Sequence, residues 1–113
     1  MNKLSEDRQW GSFIRYTHNE VSTVKIINVK AGEELSLQYH NHRKEFWKVI
    51  SGHPRLTIGE NIIEANPQDE YEINEKVKHR IGAPKDDVEI LEISLGNFDE
   101  NDIVRLEDKY GRA

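Results

Sequence analysis

Gly32-Glu33-Glu34-Leu35-Ser36-Leu37-Gln38-Tyr39-His40-Asn41-His42-Arg43-Lys44-Glu45-Phe46-Trp47-Lys48-Val49-Ile50-Ser51-Gly52 is the stretch that decides the fold. Successive side chains of a strand point to opposite faces, so Ser36, Gln38, His40 and His42 share one face and Leu35, Leu37 and Tyr39 the other. The apolar set belongs in a core or an interface. Several nitrogen and oxygen donors in a row on one strand face can converge on a divalent ion, with Glu45 arriving from beyond the turn. An isolated His-x-His would more simply be a polar row on a solvated face. The spacing around it argues otherwise.

Outward from this stretch, runs rich in Val, Ile, Leu and Tyr recur between turn signals, the texture of an antiparallel barrel or sandwich. Strands are predicted near 12–16, 22–29, 34–42, 45–51, 54–65, 70–73 and 87–96, with a short piece around 79–81. Within 54–65, Arg55-Leu56-Thr57-Ile58 and Asn61-Ile62-Ile63-Glu64 flank Gly59-Glu60, where a glycine can take the positive φ of a tight hairpin. Ala31-Gly32, Ser51-Gly52, Asn66-Pro67 and Ala83-Pro84 punctuate the rest. The tail from Asp99 to Tyr110 is predicted to be a short helix, capped by Asp99, with Ile103 and Leu106 facing the barrel.

At 113 residues the chain fits one domain spanning 1–113, with one hydrophobic core and no room for a second catalytic unit. Its net charge of -5 offers no broad basic face for a phosphate backbone, so nucleic acid is not an expected partner. No apolar stretch approaches the roughly 20 residues of a bilayer helix, and the polar start lacks a secretory core. The expected location is the cytoplasm, without a membrane partner. With no cysteine, any metal must be held by His, carboxylate or amide groups.

Gly32, then five residues to Gln38-x-His40, four to Glu45 and six to Gly52 follow the spacing of the first cupin motif, G-x5-H-x-H-x4-E-x6-G, with Gln38 in place of the first His. The second motif, P-x-G-x2-H-x3-N, falls on Asn74 to Ala83, where His79 is kept. From Arg8 to Arg112 the chain resembles the C-terminal cupin domain of type II phosphomannose isomerases, which are often fused to a mannose-1-phosphate guanylyltransferase. The resemblance rests on Trp10-Gly11-Ser12, Leu35-Ser36-Leu37-Gln38, His40-x-His42-Arg43, Glu45-x-Trp47, Val77-Lys78-His79-Arg80, and Asp102-Ile103-Val104-Arg105 running to Asp108-x-Tyr110-Gly111-Arg112. In that family a Gln stands at the position of Gln38.

The resemblance implies an all-β cupin, a small jelly roll or double-stranded β-helix, with one divalent ion on Gln38, His40, Glu45 and His79. Zinc is the first expectation, with manganese, cobalt, nickel or iron as other choices. It also implies interconversion of mannose 6-phosphate and fructose 6-phosphate through an enediolate, with His42, Glu92 or Lys48 as the general base. Lys25, Arg43, Arg80, Arg105 and Arg112 are the cations available for phosphate, Arg80 foremost because it adjoins His79. The expected catalytic set is therefore His42, Arg80 and Glu92, and the expected substrate-binding set Lys25, Arg80 and Arg105. Trp10 and Trp47 are candidates for sugar stacking or for the core. Ser94, Phe98 and Phe46 replace the Gln, Tyr and His common in the family, which favours as alternative a non-catalytic module that binds a metal and a sugar phosphate or nucleotide sugar. The nucleotidyltransferase domain has no counterpart here, so guanylyl transfer is not expected of this chain alone. Exposed strand edges predict a homodimer.

Overall fold

The computed structural model describes all 113 residues. In chain order the strands are β1 (Leu4–Arg8), β2 (Gly11–Arg15), β3 (Ser22–Val29), β4 (Leu37–Tyr39), β5 (Lys44–Ser51), β6 (Arg55–Ile58), β7 (Asn61–Glu64), β8 (Glu70–Ile73), β9 (His79–Gly82), β10 (Val88–Leu95) and β11 (Val104–Glu107). Every pairing is antiparallel, as the alternating short runs predict. One sheet runs β3-β10-β5-β8, the other β11-β4-β9-β6-β7, and β1-β2 form a separate hairpin. Its turn leaves Trp10 74% exposed, so Trp10 belongs to neither the core nor the site.

The inner faces carry both the core and the site. Along β5, Val49 and Trp47 are buried among apolar neighbours and the next inward residue is Glu45. Along β10, Val88 and Ile90 belong to the same core, followed by Glu92 and Ser94. On β9, Ile81 is core and His79 is not. Three strands thus change from apolar to ionisable at one end of the barrel. Apolar burial holds the strands in register and the ionisable groups are carried inside with them.

At the core end, Gly52 has φ +83° and a Cβ there would stand 2.2 Å from the Asp87 carbonyl oxygen. Gly52→Ala is expected to cost about 2 kcal/mol, read as a lowered Tm, because the left-handed backbone and the overlap act together.

The tail departs from the sequence expectation: no helix forms over 99–110. Asp99 still caps, but it caps a turn, its Oδ1 accepting the Asn101 N–H at 2.9 Å and its carbonyl the Asp102 N–H at 3.1 Å. The chain then runs along the open edge of β4, pairing Val104 with Tyr39 and Arg105 with Gln38. Ladder hydrogen bonds to a waiting sheet edge outweigh the weak helical preference of a short polar tail. Ile103 lines a cavity, while Leu106 is 47% exposed.

Candidate metal centre and its cavity

His40, Glu45 and His79 come together at the ionisable end, each offering one ligand atom, with these atoms within 4.8 Å of one another. They are 1%, 3% and 2% exposed. His40 Nε2 lies 3.8 Å from Glu45 Oε2, and His79 Nε2 lies 3.4 Å from Glu45 Oε1. Each imidazole donates its Nδ1–H to a backbone carbonyl, His40 to Asp102 at 2.6 Å and His79 to Val77 at 2.9 Å. That fixes the tautomer with the lone pair on Nε2, unpartnered on His79 and facing the Arg43 Nη2 on His40. Trp47 stands edge-on to the His79 ring, with centroids 5.4 Å apart. This buried indole supports the histidine and does not offer its face to a sugar.

The group has the marks of a cation site. Both Glu45 oxygens and His79 Nε2 are buried with no hydrogen-bond partner, which is costly unless something positive satisfies them. Burial raises the Glu45 carboxyl above its usual range, and the Arg43 charge opposes that. Burial likewise keeps His79 neutral and lowers His40 to about 4. Neutral imidazoles and a carboxylate are what a divalent ion takes as ligands. The Arg43 guanidinium lies against the His40 ring, with Nη2 2.6 Å from Nε2.

Beside the triad opens a cavity of about 450 Å³, whose walls include Lys25, Gln38, Arg43, Glu92, Phe98 and Arg105. Glu92 is buried and adjoins Glu45, with burial first and the Glu45 charge second raising it to about 7. Phe98 lies beneath two of the cations, its ring centroid 4.2 Å from Lys25 Nζ and 4.7 Å from Arg43 Cζ. Arg105 has a buried Nε with no partner. Gln38 sits opposite His79 in the β4–β9 ladder, but its Oε1 accepts the Ser36 hydroxyl at 2.6 Å. It stands beside the triad, its amide oxygen engaged by Ser36.

Several expected residues lie elsewhere. His42 is exposed and outside the group, because the turn after β4 carries it past the barrel mouth. Arg80 is one residue from His79 on a strand and so points outward, bonding the Leu35 carbonyl at 3.0 Å and Glu107 at 3.2 Å. Lys48 is on the outer face of β5, donating to the Tyr16 hydroxyl at 2.8 Å. Arg112 is held by Asp108 at 2.7 Å. Of the five cations considered for phosphate, Lys25, Arg43 and Arg105 converge on the cavity. Asp102 and Phe98 carry roles that sequence reasoning did not give them, although Asp102 opens one of the signature segments.

Residues 2–108 match the family model described as mannose-6-phosphate isomerase C-terminal. The chain belongs to the mannose-6-phosphate isomerase C-terminal family. Relatives of this family domain include the xanthan biosynthesis protein XanB of Xanthomonas campestris, 40% identical over 94% of this chain and 23% of that protein. The alginate biosynthesis protein AlgA of Pseudomonas putida is 40% identical over 99% of the chain and 24% of its own length. The mannose-1-phosphate guanylyltransferase ManC of Salmonella typhimurium is 36% identical over 94% and 22%. The chain thus spans about a quarter of the length of these relatives. Oxalate decarboxylase of Bacillus subtilis has the same fold, with TM-score 0.70, 25% identity, and coverage of 77% of this chain and 24% of that one. The all-β cupin expected from the sequence is the fold observed.

The relatives correct the expectation of a mannose 6-phosphate isomerase acting on its own. Their names tie this family domain to mannose-1-phosphate guanylyltransferase and to xanthan and alginate biosynthesis. The geometry agrees with the correction, since two of the three residues expected to catalyse, His42 and Arg80, lie away from the triad. No helix is long and apolar enough to cross a membrane.

Proposed function

We propose that this domain is a metal-dependent binding module that works with a mannose-1-phosphate guanylyltransferase, holding the phosphate of a hexose phosphate or nucleotide sugar beside the metal. The observation that carries this reading is the convergence of Lys25, Arg43 and Arg105 on one cavity bordering the His40–Glu45–His79 group. Arginine forks pair phosphate oxygens two at a time, and a partly desolvated cavity strengthens each charge-assisted bond. Glu92, with a proton held near neutrality, would donate to or accept from a sugar hydroxyl.

His40, Glu45 and His79 would hold the ion, and a donor set of two imidazoles and one carboxylate suits zinc first, with manganese, cobalt, nickel or iron as alternatives. Once bound, the ion supplies Lewis-acid attraction for sugar or phosphate oxygens. The chain's own residues do the rest: Lys25 and Arg105 neutralise the anion, and Phe98 keeps the cations from folding away.

Calorimetric titration of zinc-loaded protein with mannose 1-phosphate and with a nucleotide sugar tests this. Arg105→Met is expected to weaken binding at least about tenfold, the worth of one charge-assisted pair. Zinc-loaded wild type that takes up neither ligand would sink the reading.

A homodimer is part of the same proposal. β3 is the open edge of its sheet, and Val24 and Ile26 are exposed on it. Val24→Asp is expected to shift a dimer toward monomer in sedimentation. Cytoplasmic residence, without nucleic acid or membrane contact, fits a cysteine-free acidic chain.

A further inference from the structure

His79 donates its orienting hydrogen bond to the Val77 carbonyl, two residues away. His40 donates its own to the Asp102 carbonyl, 62 residues away, on the segment that joins β10 to β11. The side chain of the same Asp102 accepts two more bonds from the histidine turn, the Asn41 N–H at 2.8 Å and the His42 N–H at 2.9 Å. One residue thus grips both the backbone of the turn and the ring of a candidate ligand. Its two carboxylate bonds prevent its own peptide from rotating, and so keep its carbonyl aimed at Nδ1. The hydrogen bond at one ring nitrogen sets which tautomer the other presents. Without the Asp102 side chain the carbonyl can turn away from Nδ1, leaving only Arg43 Nη2, 2.6 Å from Nε2, to favour the tautomer whose lone pair is on Nε2.

We infer that Asp102 is a positioning residue for the metal centre, coupling the docked tail to the ligand geometry of His40. The inference rests on the metal-binding reading above. The tail it fixes also carries Phe98, Ile103 and Arg105 to the cavity wall, so one attachment point orders the metal ligand and the anion-binding wall together. Asp102→Ala leaves all three ligands in the sequence, and its effect is therefore separable from loss of a ligand.

The test is cobalt and zinc titration of the full chain as wild type, Asp102→Ala, Asp102→Asn and Asp108→Ala. Asp108 bonds Arg112 on the same tail without touching the histidine turn, and so reports general loosening. Asp102→Ala is expected to weaken metal binding by about 10- to 100-fold, the range for a group that orients a ligand. Asp102→Asn should recover part of this, since one amide oxygen still accepts one of the two N–H groups, and Asp108→Ala should bind as wild type does. Nitrogen NMR of the imidazoles supplies a readout that does not depend on metal: wild-type His40 should be the Nδ1–H tautomer, with Nε2–H appearing in Asp102→Ala. Unchanged affinity in Asp102→Ala, equal weakening in Asp108→Ala, or an Nε2–H tautomer in the wild type overturns the inference while metal binding stands. A wild type that binds neither ion overturns the metal reading and this inference with it.

Discussion

In metal-stripped protein titrated with zinc, His79→Ala is expected to bind at least about a thousandfold more weakly than wild type, well beyond the 10- to 100-fold that loss of an orienting group costs. Its Nε2 is one of three donor atoms within 4.8 Å, and removing it leaves His40 and Glu45 with too few ligands to compete with water. His42→Ala is the matched control. It sits within the same His-rich turn but is exposed and outside the group, so its zinc affinity should not change. The alanine at position 79 also removes the edge contact with Trp47, so a lowered Tm in metal-free protein is expected as well. Affinity must therefore be measured well below that Tm. Stoichiometric tight binding by His79→Ala, or its loss in His42→Ala, would move the centre away from the three residues assigned to it.

The contrast between these two histidines shows where sequence reading succeeds and where it stops. Alternation placed Ser36, Gln38, His40 and His42 on one strand face, and this holds as far as His40. The strand ends at Tyr39, so period two no longer governs His42 beyond the turn. Glu45 and His79 were legible because motif spacing fixes them on strands whose inward register the core sets. Arg80 failed for the same reason that His79 succeeded, since adjacent residues on a strand cannot both face inward. Glu92 follows Ile90 at period two and was open to the same reading.

The tail resisted prediction for a physical reason. Helix formation is judged from local propensity, and Asp99 with its acidic neighbours has the look of a helix start. What decides the structure is distant: the open edge of β4 and the unbonded amides of Asn41 and His42. No periodicity announces a partner 60 or so residues away in sequence. The N-terminal hairpin was missed in part, β1 being polar and short with no alternating apolar face. The cation-lined cavity was half legible. Lys25 and Arg105 were singled out as cations, but only the pairing of β11 with β4 brings Arg105 round to the same mouth.

Glu92→Gln is expected to stabilise the metal-stripped protein at neutral pH and to leave it unchanged near pH 4. Glu92 and Glu45 share a buried corner, and burial, with Glu45 as a like charge, raises Glu92 from 4.5 to about 7. A carboxyl raised in the folded state favours its protonated form there, so its stabilising contribution is complete below about 4.5 and is lost as pH climbs through 7. At 1.36 kcal/mol per pH unit, the loss across that window is about 3 kcal/mol. His40 and His79 act in the opposite sense. Their folded values are lowered by burial, so their contribution is lost as pH falls below the usual histidine range. The opposing slopes flatten the wild-type profile, but the histidine contributions cancel in the difference between wild type and Glu92→Gln. That difference, from urea unfolding in chelator between pH 4 and 8, should rise steadily in favour of the variant. Zinc should shrink it, because a bound cation stabilises both carboxylates in their charged form. A difference independent of pH would show that Glu92 keeps an ordinary carboxylate equilibrium, and the picture of two carboxyls confined in one corner of the barrel would have to be abandoned.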